Sequence, residues 1–156
     1  MTHFENVIAA LKGIKTEEIV PLIDWLIESR DREELVYTCG NGGSAATAIH
    51  FASDLRSIGI RAWDLLSPSK LTQLGNDSDF STIFSQQREE GTLIAFSCSG
   101  TSSNILATLQ KWDFLVTSRL APAYTLCNMI IVPSVDYEVI EDVHLAICHA
   151  VKKALM

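Results

Sequence analysis

Glu34-Leu-Val-Tyr-Thr-Cys-Gly-Asn-Gly-Gly-Ser44 decides the fold: a short β-rich run ends in three glycines and a serine, and the helix-like stretch Ala45 to Ile58 follows at once. A strand that passes into a helix through glycines opens a βαβ unit. The pattern returns downstream, where Thr92-Leu-Ile-Ala-Phe96 ends in Ser97-Cys-Ser-Gly-Thr-Ser-Ser103 and leads into a helix expected from Asn104 to about Lys111. Further strands are expected near Arg61 to Leu66, at Phe114 to Thr117 and at Met129 to Val132. A short helical turn is expected at Leu71 to Leu74, a turn at Asn76 to Asp79, a helix over Phe80 to Arg88 and another over Tyr137 to Leu155. Strands alternating with helices predict an α/β fold in three layers, with helices on both faces of a five-stranded parallel sheet.

Ahead of this lies a helical hairpin. Val7, Ile8, Leu11 and Ile14 form one apolar stripe, and Ile19, Leu22, Ile23, Leu26 and Ile27 form another over residues 5 to 29. Such an apolar pair needs cover, either from its own domain or from a second subunit. No repeat, low-complexity tract or linker divides the chain, so its 156 residues read as a single domain. With 47% hydrophobic and 20% charged residues the chain can build a core. A net charge of −7 argues against general binding to nucleic acid or anionic lipid. No apolar run approaches the roughly 18–20 residues of a membrane span, and the opening residues lack the layout of a signal peptide. The four cysteines form no CxxC pair, and three lie in apolar stretches; reduced, buried thiols and a cytoplasmic location are expected.

Two strand-to-helix turns carry the chemistry. Gly40-Asn41-Gly42-Gly43-Ser44 lets backbone N–H groups approach an anion at a helix start; the plainer reading is a tight turn capped by Ser44. It matches neither GxGxxG nor a P-loop, so no nucleotide cofactor is expected. Ser97, Ser99, Thr101, Ser102 and Ser103 crowd seven residues after a strand, and a cap alone needs one hydroxyl, so five favour a phosphate. Both turns fall at the carboxyl edge of the sheet, where ligands of parallel sheets bind. Together they point to a small phosphorylated substrate.

His50 and Asp54, four residues apart on one helix, share a face and suit either a metal or an orienter–base pair, although such pairs are common on surfaces. In Ile140-Glu-Asp-Val-His-Leu-Ala-Ile-Cys-His149, a straight helix sets Glu141 and His149 about 80° and about 12 Å apart. A shared metal would then need side-chain reach, a bend or a second subunit. His144 and His149 diverge by about 140°, so at most one of them faces a reaction.

Gly40-Asn-Gly-Gly-Ser-Ala-Ala-Thr-Ala-Ile-His-Phe-Ala-Ser-Asp-Leu55, Gly75-Asn-Asp77, Phe96-Ser-Cys-Ser-Gly-Thr-Ser-Ser-Asn104 and Glu141 to His149 resemble, in order, the motifs of the sugar isomerase (SIS) domain, and within it the phosphoheptose isomerase branch. The resemblance implies that Asn41, Gly42, Gly43, Ser44 and Glu141 line a sugar phosphate, that Asn76 and Asp77 border it, and that Ser97, Ser99 and Ser102 hold its phosphate. It puts His50 on a metal-ligand position, Asp54 where a catalytic glutamate is usual, Glu141 where a glutamine is usual and His149 on the catalytic histidine. The implied activity is ketose–aldose isomerisation through an enediol, of sedoheptulose 7-phosphate to D-glycero-D-manno-heptose 7-phosphate, with Asp54 and His149 moving the proton. A zinc ion held by His50, Asp54, Glu141 and His149 is implied, as is a homotetramer with residues 1–30 in its interfaces and sites between subunits. The departures are a shorter carboxylate at Asp54, an added charge at Glu141 and a short Asn104–Tyr137 segment. A catalytically silent SIS protein that senses a sugar phosphate or binds a partner is the other reading; it has no need of His50, Asp54 and His149 together.

Overall fold

The amphipathic N-terminus forms two helices, α1 (His3–Lys12) and α2 (Thr16–Asp31), in a computed structural model that describes residues 1–156. Thr2 and Glu5 close a capping box at the start of α1, satisfying two otherwise orphaned N–H groups. The chain then alternates: β1 (Val36–Gly40), α3 (Gly43–Ser57), β2 (Ala62–Asp64), α4 (Pro68–Asp77), β3 (Thr92–Phe96), α5 (Ser103–Leu106), β4 (Phe114–Ser118), β5 (Asn128–Val132) and α6 (Tyr137–Leu155). The five strands pair in parallel in the order β2-β1-β3-β4-β5. Every residue of β1 and β4 is buried, as strands covered on both faces require.

Strand order fixes where a ligand goes. From β1 the chain moves outward to β2 and then returns across the sheet to β3, so the direction reverses between β1 and β3. Right-handed crossovers put α3 on one face and the α4 and α5 connections on the other. The loops after β1 and β3 therefore diverge and leave a crevice at the carboxyl edge, the usual ligand position in an open α/β sheet. α6 packs beside α3, and α1 and α2 pack against α6, making a thick helical layer on that face.

The opposite layer is thinner than the sequence predicts. The expected helix Asn104–Lys111 stops at Leu106. Its continuation is claimed by a buried ion pair: Arg88 donates to the Thr108 carbonyl and, through both terminal nitrogens, to the Asp113 carboxylate, which also accepts from the Gln110 N–H. Likewise Phe80 to Arg88 forms two single 3₁₀ turns, Phe80–Thr82 and Ser85–Gln87, and no α-helix. The expected turn at Leu71–Leu74 is the middle of α4, which Pro68 opens, and α4 absorbs Asn76 and Asp77 as its last residues. No helix joins β4 to β5; the link Arg119–Cys127 is irregular. Cys39, Cys98 and Cys148 are buried and Cys127 half-buried, all as free thiols.

Candidate active site

The crevice between β1 and β3 holds a cavity of about 240 Å³. Asn41, Gly42 and Ser44 form one wall, Ser97, Cys98, Ser99 and Ser102 the other, and Tyr137 and Glu141 of α6 close it. Gly42 is the N-cap of α3 with φ of 55°, a left-handed conformation open to glycine without strain. Gly43 lies directly against the Glu141 carboxylate, which a methyl group at that position would push aside. The first N–H groups of the 15-residue α3 have no carbonyl partner within the helix, which makes this end favourable to an anion.

Side-chain bonds tie the two walls together. Asn41 and Asn104 exchange amide hydrogen bonds at 2.9 and 2.8 Å, locking the glycine turn to the start of α5. Ser97 Oγ accepts from the Gly100 N–H, Ser118 Oγ donates to the Cys98 carbonyl at 2.6 Å, and Tyr124 donates its hydroxyl proton to the Gly100 carbonyl at 2.7 Å. No lysine or arginine lines the cavity, and Glu141 is its single charged group. An anion here is held by hydroxyls and N–H groups. Burial pushes the Cys98 thiol up, so it lines the cavity as a neutral group.

A second cluster lies farther along the same two helices. α3 and α6 run side by side in the same direction, pairing Gly43 with Glu141, His50 with His149 and Asp54 with Lys152. His50 Nε2 lies 3.0 Å from His149 Nε2, and Asp54 Oδ2 lies 3.3 and 3.9 Å from them. Asp54 is 13% exposed while both imidazoles are about half exposed, so a carboxylate sits beneath an open histidine pair. Asp54 Oδ2 is sealed from solvent and has no hydrogen-bond donor. Two imidazole nitrogens and a carboxylate oxygen within 4.8 Å of one another suit a divalent metal with a position left open. A proton shuttle also fits, since each group can donate or accept.

A sequence profile of the SIS domain family matches residues 2–112. A phosphoheptose isomerase of Helicobacter pylori is 31% identical over 96% of this chain and 88% of its own length. The chain belongs to the SIS domain family. Phosphoheptose isomerase 1 of Campylobacter jejuni is 33% identical over 89% of this chain and 83% of its own. The phosphoheptose isomerase structure from Neisseria gonorrhoeae superposes with a TM-score of 0.87 at 26% identity, covering 98% of this chain and 94% of that one.

Within this SIS domain the expected residues divide into groups. Asn41, Gly42, Ser44, Ser97, Ser99 and Ser102 share the cavity, whereas Gly43, expected with them, does not line it and lies against the Glu141 carboxylate. His50, Asp54 and His149 converge. Glu141 does not join them: eight residues before His149 on a helix parallel to α3, it lies level with Gly43, and the expected fourth metal ligand is a cavity residue instead. Asn76 and Asp77, expected to border the sugar phosphate, instead stand exposed at the end of α4, where the Asn76 amide donates to the Asp77 carboxylate at 2.8 Å, and neither lines the cavity. His144 points into the core against Phe96. Sequence reasoning missed Lys152, whose Nζ donates to Asp54 Oδ1 at 2.6 Å. Its signal was a charge three residues after His149, beside the apolar positions Cys148, Val151 and Leu155 of α6.

Proposed function

We propose that this chain is a phosphoheptose isomerase, interconverting sedoheptulose 7-phosphate and D-glycero-D-manno-heptose 7-phosphate as a ketose–aldose pair. The observation that carries the proposal is that one pair of helices bears both halves of the site. Gly43 and Glu141 mark the phosphate end, and His50, Asp54 and His149 follow in register. Ser44 and His50 are six residues apart, about 9 Å of helix rise, a separation suited to the phosphate and carbonyl ends of an extended sugar.

Ser97, Ser99, Ser102 and the α3 N-terminus hold the phosphate. Asp54 Oδ2 removes the proton from the carbon beside the carbonyl, giving an enediol, and the proton returns on the neighbouring carbon. His149 passes the hydroxyl proton between the two oxygens. The orphaned Oδ2 and paired imidazoles also fit a metal, proposed to be zinc and held by His50, Asp54 and His149, which when bound would polarise the carbonyl and would compete with the base role of Oδ2. Glu141 accepts hydrogen bonds from sugar hydroxyls.

Assembly as a homotetramer is part of the proposal. Phe4, Ile8 and Leu11 recur at helical spacing on α1 and are exposed in the single chain, a face suited to a second copy. A cytoplasmic location accords with the free cysteines, and no helix is long and apolar enough to cross a membrane. The test is direct: purified protein is mixed with sedoheptulose 7-phosphate, with and without added zinc, and followed by NMR. A new aldose phosphate is expected. Heat protection by the sugar without turnover in either tube would instead mark a binding protein.

A further inference from the structure

We propose that Lys152 is a positioning residue of this site: it fixes Asp54 so that one carboxylate oxygen faces the imidazole pair, and its charge weakens the site's hold on divalent cations. Lys152 follows His149 by three residues on α6 and meets Asp54 from the side away from the cavity. Its Nζ donates to Oδ1 at 2.6 Å, and the side chains are only 26% and 13% exposed, so the contact is sheltered from solvent screening. Oδ2 is left with no donor of its own, aimed at His50 and His149.

The arrangement has two consequences. An aspartate stem is short and turns about two torsions. With Oδ1 held, Oδ2 stays at one distance from the imidazoles and cannot swing aside, which is the kind of orientation that proton transfer needs. The ammonium also opposes any dication that Oδ2 holds, because the two positive charges share one carboxylate. Lys152 therefore holds the base in place without a metal, and a metal competes with it for the charge of Asp54. The catalytic consequence rests on the isomerase reading; the effect on cations does not.

Lys152→Met keeps the stem and removes the charge, while Lys152→Arg keeps a donor for Oδ1. Cobalt(II) is titrated into metal-free wild type and both variants by calorimetry, and isomerase kinetics are measured on the same samples. For Lys152→Met the dissociation constant for cobalt is expected to tighten about tenfold. Its kcat is expected to fall about tenfold, with KM changed less than about twofold because Lys152 is remote from the phosphate loops. Lys152→Arg is expected to keep wild-type cobalt affinity and most of kcat. A merely structural ion pair between helices would lower the melting temperature of Lys152→Met and leave cobalt affinity alone. Unchanged cobalt affinity, or unchanged kcat beside an active wild type, overturns the inference. A wild type that turns over no sugar while the cobalt shift persists refutes the isomerase reading and leaves the effect of Lys152 on cations standing.

Discussion

At the residue scale, the site sets its charges against its hydroxyls. Glu141 is the single ionised side chain in a cavity that otherwise offers serines and backbone N–H groups to a phosphate. Glu141→Gln removes that repulsion and is expected to lower KM for the sugar phosphate several-fold, with kcat within about twofold, in steady-state assays at low salt. His144 works differently. It is wholly buried against Phe96, and burial, only partly offset by the Thr117 backbone, pushes its imidazole down to about 4. In the unfolded chain the same group titrates near 6.5, so between these values the unfolded state binds more protons. Stability is fully present above pH 6.5 and declines as the pH falls toward 4, by roughly 3 kcal/mol from this group. His144→Leu is expected to flatten that decline, which urea unfolding at pH 7 and pH 5 measures.

At the element scale, the reciprocal amides of Asn41 and Asn104 make the two ligand loops one unit. Asn104→Ala leaves the Asn41 amide unpaired and is expected to cost about 1–3 kcal/mol of stability and to raise KM, since the loops no longer hold their spacing. The strands and the long helix α6 were legible because their signals are local: Thr92–Phe96 is apolar and β-branched between turn residues, and Tyr137–Leu155 keeps helical spacing throughout. The Ser-rich and Gly-rich corners were legible for the same reason. α5 was not, because its end is set by Arg88 and Asp113, which are 25 residues apart and take the carbonyl and N–H groups a longer helix would use. The displacement of Glu141 from the histidine cluster was half legible. Helical arithmetic gave its distance from His149, and only the parallel course of α3 and α6 shows that it meets Gly43. Lys152 was overlooked because its partner lies 98 residues away.

At the scale of the whole molecule, the thin layer of the sandwich depends on Arg88–Asp113. Arg88→Met strands a buried carboxylate and is expected to destabilise the fold by about 3–5 kcal/mol, read as a lower denaturation midpoint. On the thick layer, Ile8→Asp places a charge in the exposed apolar face of α1; if the proposed homotetramer uses that face, the variant is expected to run as a smaller species than wild type in light scattering after gel filtration. The account as a whole holds that a phosphate pinned at the sheet's switch point presents its sugar to Asp54 and His149. Isomerisation of sedoheptulose 7-phosphate in heavy water tests this most directly, with wild type and Asp54→Asn compared by NMR. The account predicts an aldose phosphate carrying deuterium on the carbon next to its carbonyl, and a rate at least about 100-fold lower in the variant. An aldose formed at the wild-type rate by Asp54→Asn would contradict it.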